Sequence, residues 1–185
     1  RAVVAAAGGV EEGARPAAFT QAADWLDGSN VDRKAFRDDY YRDLCPAKLQ
    51  PVLDCIAYIA QHTKIWMEIT TLLLPGRNDS DEELKKLADF LVREAGADVP
   101  WHISRFYQQY RYDESPPTPL ESMQRAEAIG KAAGLHYVYL GNVPGEKSES
   151  TYCYSCGRVL IGEAQKRGAD VLADAHAAST LMTDE

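Results

Sequence analysis

Two cysteines separated by two residues, Cys153-Tyr154-Ser155-Cys156, are followed at once by Gly157, so a tight turn would present both sulfurs to one ion. Zinc prefers four ligands, so one such knuckle is half a site. The open readings are a shared metal site, a redox pair, or two free thiols in a turn. The remaining cysteines, Cys45 and Cys55, lie far away, Cys45 just before Pro46 and Cys55 beside an apolar helical stripe that assigns it to the core. Glu68, Thr70 and Arg105 are polar residues inside segments otherwise fit for burial. A buried charge needs a partner or a ligand. They therefore line a cavity, or Glu68 and Arg105 pair internally.

Other chemistries lack their residues. The four histidines, His62, His102, His136 and His176, show no i,i+4 pairing and no His-x-Glu context, and hydrolytic zinc chemistry is unsupported. His102 and His136 read as hydrogen-bonded core or rim residues of strands. No G-x-S-x-G, P-loop or G-x-G-x-x-G motif occurs. The net charge of -8 and a pI near 5.0 argue against a nucleic-acid partner, which needs a basic patch. The apolar runs Ala2–Ala7 and Leu72–Leu74 are too short to span a bilayer. Four cysteines without a scaffold pattern fit a reducing compartment, the cytoplasm, or an organelle matrix if the N-terminus is processed. A first residue of Arg1 suggests processing or an incomplete N-terminus.

The elements that position these residues alternate regularly. Val3–Ala7 is predicted as a strand ending at Gly8-Gly9, and Pro16 opens a helix carrying Phe19, Ala23 and Leu26 inward. Asn30–Ala35 is the next strand, and Asp38–Leu44 a brief helix stopping before Pro46. The helix Ala47–Gln61 follows, with Leu49, Leu53, Ile56 and Ala60 on one stripe. Lys64–Leu74 is the clearest strand, ended by Pro75-Gly76. Ser80-Asp81-Glu82-Glu83 is a capping box for a helix that buries Leu84, Leu87, Leu91 and Ala95 and ends at Gly96. Trp101–Tyr107 is a strand. A second capping box, Thr118-Pro119-Leu120-Glu121, opens a helix ending at Gly134, before the strand His136–Leu140.

Strands alternating with helices mean βαβ crossovers and a parallel sheet, the α/β class. Five strands do not close a barrel of eight. The fold expected is a parallel βαβ half-barrel over residues 1–145, a small CxxC knuckle over 146–162, and an Ala-rich flexible tail over 163–185. Ligands of parallel sheets bind at the carboxyl ends of the strands. That rule points to Lys34, Thr71–Pro75, Arg105–Gln108 and Asn142. An incomplete barrel leaves an unpaired strand edge near Val3–Ala7, which a protein partner would cover.

Five segments, in order, resemble radical S-adenosylmethionine activases related to pyruvate formate-lyase activating enzyme, and more closely the branch associated with the AmmeMemoRadiSam system. They are Asn30-Val31-Asp32-Arg33-Lys34, Trp66 through Ser80 with its Pro75-Gly76-Arg77-Asn78-Asp79 turn, Pro100–Phe106, Tyr139–Gly145 and Thr151–Gly157. The resemblance runs from about Asn30 to Ile161 and implies the C-terminal half of a partial radical SAM-type barrel. It implies that Asp32 and Lys34 hold S-adenosylmethionine, and that Glu68, Thr70, Arg105, Tyr107 and Asn142 line the cavity. In the intact family a [4Fe–4S] cluster cleaves the cofactor reductively and the product radical abstracts a hydrogen. The family binds its cluster through C-x3-C-x2-C, and this sequence has no such spacing. Arg33 stands where the family packs an apolar residue, and Tyr107 where the activase pattern has histidine. Ala5-Ala6-Ala7-Gly8-Gly9 lacks the polar side chains of the ribose-contacting turn. As given, the chain is therefore expected to be inactive alone. The rival reading is a truncated, non-catalytic structural or interaction subunit descended from that fold.

Overall fold

The computed structural model describes residues 2–6, 23–108, 114–143 and 150–162, the first of these groups as backbone. The chain divides into two compact units, Arg1–Val143 and Pro144–Glu185. The helix expected after Pro16 and the tail after residue 162 lie outside the described residues.

The first unit contains β1 (Ala2–Ala6), β2 (Leu26–Asp32), α1 (Asp38–Leu44), α2 (Leu49–His62), β3 (Trp66–Leu73), α3 (Asp81–Ala95), β4 (Trp101–Arg105), α4 (Leu120–Ala133) and β5 (Val138–Gly141). The five strands form one parallel sheet in the order β1-β2-β3-β4-β5, with β1 at an edge. Neighbours in space are neighbours in sequence. Crossovers in parallel sheets are right-handed, so this order puts the connecting helices on one face of the sheet, as in part of a barrel. The other face is left with its strands' alternate residues half-exposed.

Alternation along β3 shows the division. Met67, Ile69, Thr71 and Leu73 are buried, while Glu68, Thr70 and Leu72 are half-buried. Ile69, Leu73, Trp101 and Ile103 pack against Ile56 and Ile59 of α2, Leu84, Leu87 and Leu91 of α3, and Met123 and Ala126 of α4 in one core. Trp101 is wholly buried, and its indole donates to Thr71 Oγ1 at 3.0 Å. Gly130 of α4 lies directly over it: a Cβ there would sit 2.9 Å from the indole ring. The small residue lets helix and sheet close on the largest side chain in the core.

Several boundaries depart from the sequence reading. Leu26 opens β2 instead of facing inward from a helix, and β2 ends at Asp32, not Ala35. The buried stripe of α2 is Leu49, Val52, Cys55, Ile56 and Ile59, so Leu53 falls at its margin and Ala60 is exposed. Ser80 caps α3 as expected, accepting from Glu83 N at 3.4 Å, but the Glu83 carboxylate does not return to close the box. Its Oε1 accepts from Phe36 N at 2.8 Å, binding the segment after β2 to α3. Thr118 does not cap α4 either. Its hydroxyl donates to Leu73 O at 2.5 Å and accepts from Phe106 N at 3.1 Å, pinning the ends of β3 and β4, and Pro119 precedes the helix. In both cases a partner distant along the same chain outcompetes the local one. His136 precedes β5 instead of opening it and contacts Asp98 at 2.8 Å.

The second unit contains β6 (Thr151–Tyr152) and β7 (Val159–Ile161), an antiparallel hairpin whose turn carries Cys153 and Cys156.

Candidate functional site

The site builds from the bracket that fixes the end of β2. Arg33 N donates to Thr70 O at 2.7 Å, extending the β2–β3 ladder past Asp32. Lys34 N then donates to the buried Tyr41 hydroxyl at 3.1 Å, and Lys34 O accepts from Asn78 Nδ2 at 2.6 Å. Asn78 is 2% exposed, and it also donates to Leu72 O at 2.9 Å and accepts from Leu74 N at 2.7 Å. One amide thus satisfies three backbone groups on two strand ends, the complete accounting that buried polar groups require. The turn that holds Asn78 is set by Gly76, at φ 71, whose N–H donates to Asp79 at 2.7 Å. The Pro75–Asp79 motif is therefore a clamp on Lys34.

Around Asp32 and Lys34 the open face is polar. Register places Asp32 opposite Thr70, Thr70 opposite His102, and His102 opposite Tyr139, one row across four strands. The next row holds Leu72, Ser104 and Gly141, and the preceding one pairs Asn30 with Glu68. The Lys34 ammonium pairs with Asp32 Oδ2, both side chains half-exposed. The second carboxylate oxygen, Asp32 Oδ1, is buried without a hydrogen-bond partner among the described residues. His102 stacks on Tyr139, ring centroids 5.0 Å apart. Its Nε2 lies 3.2 Å from Glu68 Oε2, a contact of charge and dipole without hydrogen-bond alignment.

Glu68 does not pair with Arg105, the alternative left open by the sequence. Arg105 shares the strand parity of the buried Trp101 and Ile103, whereas Glu68 faces the open side. Arg105 Nε donates to Thr118 O at 2.7 Å, and its guanidinium lies 4.9 Å from the Tyr107 ring centre. The Tyr107 hydroxyl donates to Asn142 O at 3.2 Å, and Asn142 Nδ2 reaches Ser104 Oγ and Arg105 O, each at 3.2 Å. Asn142 has φ 60, in the left-handed region that asparagine tolerates better than most residues. Arg105, Tyr107 and Asn142 thus form one cluster at the carboxyl ends of β4 and β5, while Asp32, Thr70 and Glu68 lie on the adjoining rows. Cys153 and Cys156 belong to the second unit.

Arg33, between the two site residues, points the other way. Its side chain is wholly buried, its guanidinium 4.3 Å from the Phe36 ring centre, and its three nitrogens have no hydrogen-bond partner among the described residues. Burial pushes its pKa down to about 10, partly offset by Tyr41 and Glu83. Burial likewise raises the Glu83 carboxyl above its ordinary value, against the Phe36 N–H and the nearby Arg37 and Arg33. A cavity of about 160 Å³ opens on this helix side, lined by Phe36, Arg37, Ser80, Glu82, Glu83 and Lys86. It is below the roughly 300 Å³ of ordinary ligand pockets and lies away from the strand-end cluster.

His102, Ser104, Tyr139 and Asn78 are site residues that the sequence reading did not select. Counting by twos from Glu68 along β3 identifies the open face, but carrying it to β4 and β5 needs the strand register. Burial raises the Cys45 thiol and pushes Cys55, in the core, up to about 11. Cys153 moves the opposite way, lowered by the N–H groups of Cys156 and Ser155 directed at its sulfur. Among the described residues no group of three His, Cys, Asp or Glu could hold a metal ion, so they do not fit a [4Fe–4S] cluster. No helix of the described residues is long and apolar enough to cross a membrane.

Against known proteins, no family model matches the chain. It is 40% identical over 136 residues to the uncharacterized protein MJ0808 of Methanocaldococcus jannaschii, a match covering 74% of this chain and 40% of that protein. The match thus spans about two-fifths of the length of this curated relative. A domain of pyruvate-formate lyase-activating enzyme from Bacteroides vulgatus superimposes with a TM-score of 0.65 at 17% identity, over 76% of this chain and 80% of that one. A radical SAM methyltransferase from Sphaerobacter thermophilus superimposes with a TM-score of 0.55 at 18% identity, over 85% of this chain and 43% of that one. At these identities the likeness is one of fold: this chain has the α/β fold of radical SAM-type domains.

Proposed function

We propose that this chain is the C-terminal part of a radical SAM enzyme and that Asp32 and Lys34 hold the methionyl end of S-adenosylmethionine. The observation that carries the reading is Asp32 Oδ1, a buried carboxylate oxygen without a partner among the described residues, at the carboxyl end of a parallel strand and beside the Lys34 ammonium. A buried acceptor left empty costs about 1–3 kcal/mol, which a donor on a ligand would recover. The methionyl group is a zwitterion, so its ammonium suits Asp32 and its carboxylate suits Lys34. The described residues thus fit the cofactor's amino-acid end and not the cluster.

S-adenosylmethionine, bound at such a cluster, supplies a hydrogen-abstracting radical in the enzymes this sequence resembles. The residues of this chain would orient and enclose. Asn78 fixes the Lys34 backbone, and Thr70 continues the Asp32 row toward His102. Glu68 and Thr70 on the open face, with Tyr107 and Asn142 at the strand ends, would line the side where a substrate, protein or small, presents its hydrogen, and Arg105, held by Thr118 O, would support Tyr107 from behind. Nothing among the described residues favours the rival reading of a non-catalytic subunit.

The test is equilibrium binding of S-adenosylmethionine to the natural polypeptide, purified without oxygen, against Asp32→Asn and Lys34→Met. Loss of a charge-assisted contact should weaken binding by roughly tenfold or more in each. Affinities within about twofold of wild type in both, with unchanged thermal stability, would remove the reading.

A further inference from the structure

Of residues 33–35, Lys34 alone leaves the core. Arg33 is wholly buried and Ala35 nearly so, whereas the Lys34 side chain stays half-exposed. The segment lies past the end of β2, and its backbone is held from four different places. Arg33 N donates to Thr70 O of β3, and Lys34 N donates to the Tyr41 hydroxyl of α1 at 3.1 Å. Lys34 O accepts from Asn78 Nδ2, in the turn before α3, at 2.6 Å, and Phe36 N donates to Glu83 Oε1 of α3.

The two bonds at Lys34 have a specific consequence. Its N–H belongs to the peptide plane before the Cα, and its C=O to the plane after it. Holding both planes fixes φ and ψ of Lys34, and with them the direction of its Cα–Cβ bond. The groups that hold them are themselves fixed. Asn78 is buried, as described above. Tyr41 is 0% exposed, and its own carbonyl receives the N–H groups of Cys45 and Ala47 at 3.2 and 3.0 Å. Burial raises the Tyr41 pKa above its ordinary value, against Arg33 and the Lys34 N–H, so the phenol stays neutral and accepts as an oxygen that keeps its proton. A half-exposed strand end that needed only satisfied backbone could take water instead. Two buried side chains from separate elements aim the one side chain that leaves the core. A lysine stem loses rotamer freedom when its ammonium is bound, and a pre-set stem loses less.

We propose that Tyr41 is a positioning residue of the cofactor site, acting with Asn78 through Lys34 to aim its ammonium at the methionyl carboxylate. The inference rests on the reading of Asp32 and Lys34 as the residues that hold S-adenosylmethionine. It adds α1 to the site, and it gives Tyr41 a role in selecting ligands that carry that carboxylate.

The experiment compares binding of S-adenosylmethionine and of its decarboxylated analogue to the natural polypeptide, purified without oxygen. Lys34→Met should reduce the preference for the carboxylate-bearing ligand by about tenfold. Tyr41→Phe keeps the ring and removes the oxygen, and should reduce that preference by about threefold or more. In a chain already carrying Lys34→Met, Tyr41→Phe should change the preference no further. Equal weakening of both ligands by Tyr41→Phe would mean a structural role alone and would overturn the proposal, leaving the assignment of Lys34 intact. A preference unmoved by Lys34→Met would remove that assignment, and the proposal with it. A second measurement needs no variant: hydrogen exchange of the Lys34 N–H in the unliganded protein, followed by NMR. Protection of about a hundredfold or more before any ligand is added is expected. Exchange as fast as that of an unprotected amide would also overturn the proposal, since Lys34 would then be unfixed until the ligand arrives.

Discussion

Arg33 and Lys34 are adjacent cations on one stretch of chain, and they meet opposite fates. Lys34 reaches the open face, pairs with Asp32 and stays half-exposed. Arg33 turns beneath the helices, fully buried against Phe36 with no hydrogen bond to its guanidinium among the described residues. The difference is that of the sheet's two faces. The helix face is a close-packed core that tolerates buried charge, at Arg33 and Glu83, at a cost in desolvation. The open face is a polar platform whose groups pair loosely, with Asp32 Oδ1 left without a hydrogen-bond partner among the described residues. Alternate residues along one stretch of chain thus divide a packed face from an open one.

The largest expected effect contrasts two aromatics on neighbouring strands. Trp101→Ala should lower unfolding stability by about 3–5 kcal/mol, because it empties the centre of the core and strands Thr71 Oγ1. Tyr139→Ala, on the open face, should cost about 1 kcal/mol. Chemical denaturation of both variants checks this. Equal losses would mean that the open face is as tightly packed as the helix face.

Next is the pair of cations. Arg33→Met should raise stability by about 1–4 kcal/mol, since desolvation of a buried charge outweighs the cation–π attraction of about 0.5–2 kcal/mol. Lys34→Met should change stability by less than about 1 kcal/mol, as half-exposed ion pairs do. Thermal melts decide. A loss on Arg33→Met would show that the guanidinium finds a partner in the assembled protein.

Smallest is the pH effect at Glu83. Its folded carboxyl has a pKa raised by burial, so the stability it contributes is present below its unfolded value and is lost as pH rises through the folded one. Glu83→Gln keeps an acceptor for Phe36 N and cannot ionise. Its melting temperature should match wild type near pH 4 and exceed it increasingly toward pH 7. The difference between the two proteins is the quantity to measure, because Asp39 and Glu82, lowered by Arg37 and Lys86, drive both in the opposite direction. A constant gap across this range would refute the assignment.

Much of the architecture was legible because its signals are local. The apolar spacing of α3, the glycines at 96 and 134 with positive φ, and the Ser80 cap all act within a few residues. The alternation of elements was enough to infer a parallel sheet, and the strand-end rule led to Lys34, Arg105 and Asn142 before any likeness was considered. Parity alone separates Arg33 from Asp32 and Lys34. The chemistry of Cys153-x-x-Cys156 was equally visible, along with the fact that one pair of sulfurs is half a tetrahedron.

Tertiary structure decided what depends on register and reach. Glu83 and Thr118 each sat in a sound local capping pattern, yet each was claimed by a group far along the chain: Phe36 N for one, Leu73 O and Phe106 N for the other. Glu68 met His102 and not Arg105 because parallel register, set by packing, determines which side chains share a face. Asn78 became the clamp on Lys34 only when two strand ends stood side by side. Sequence specifies a residue's donors, acceptors and local preference. Which of several competing partners it takes is settled by where the core brings distant backbone, since an unpaired buried group costs more than a cap contributes.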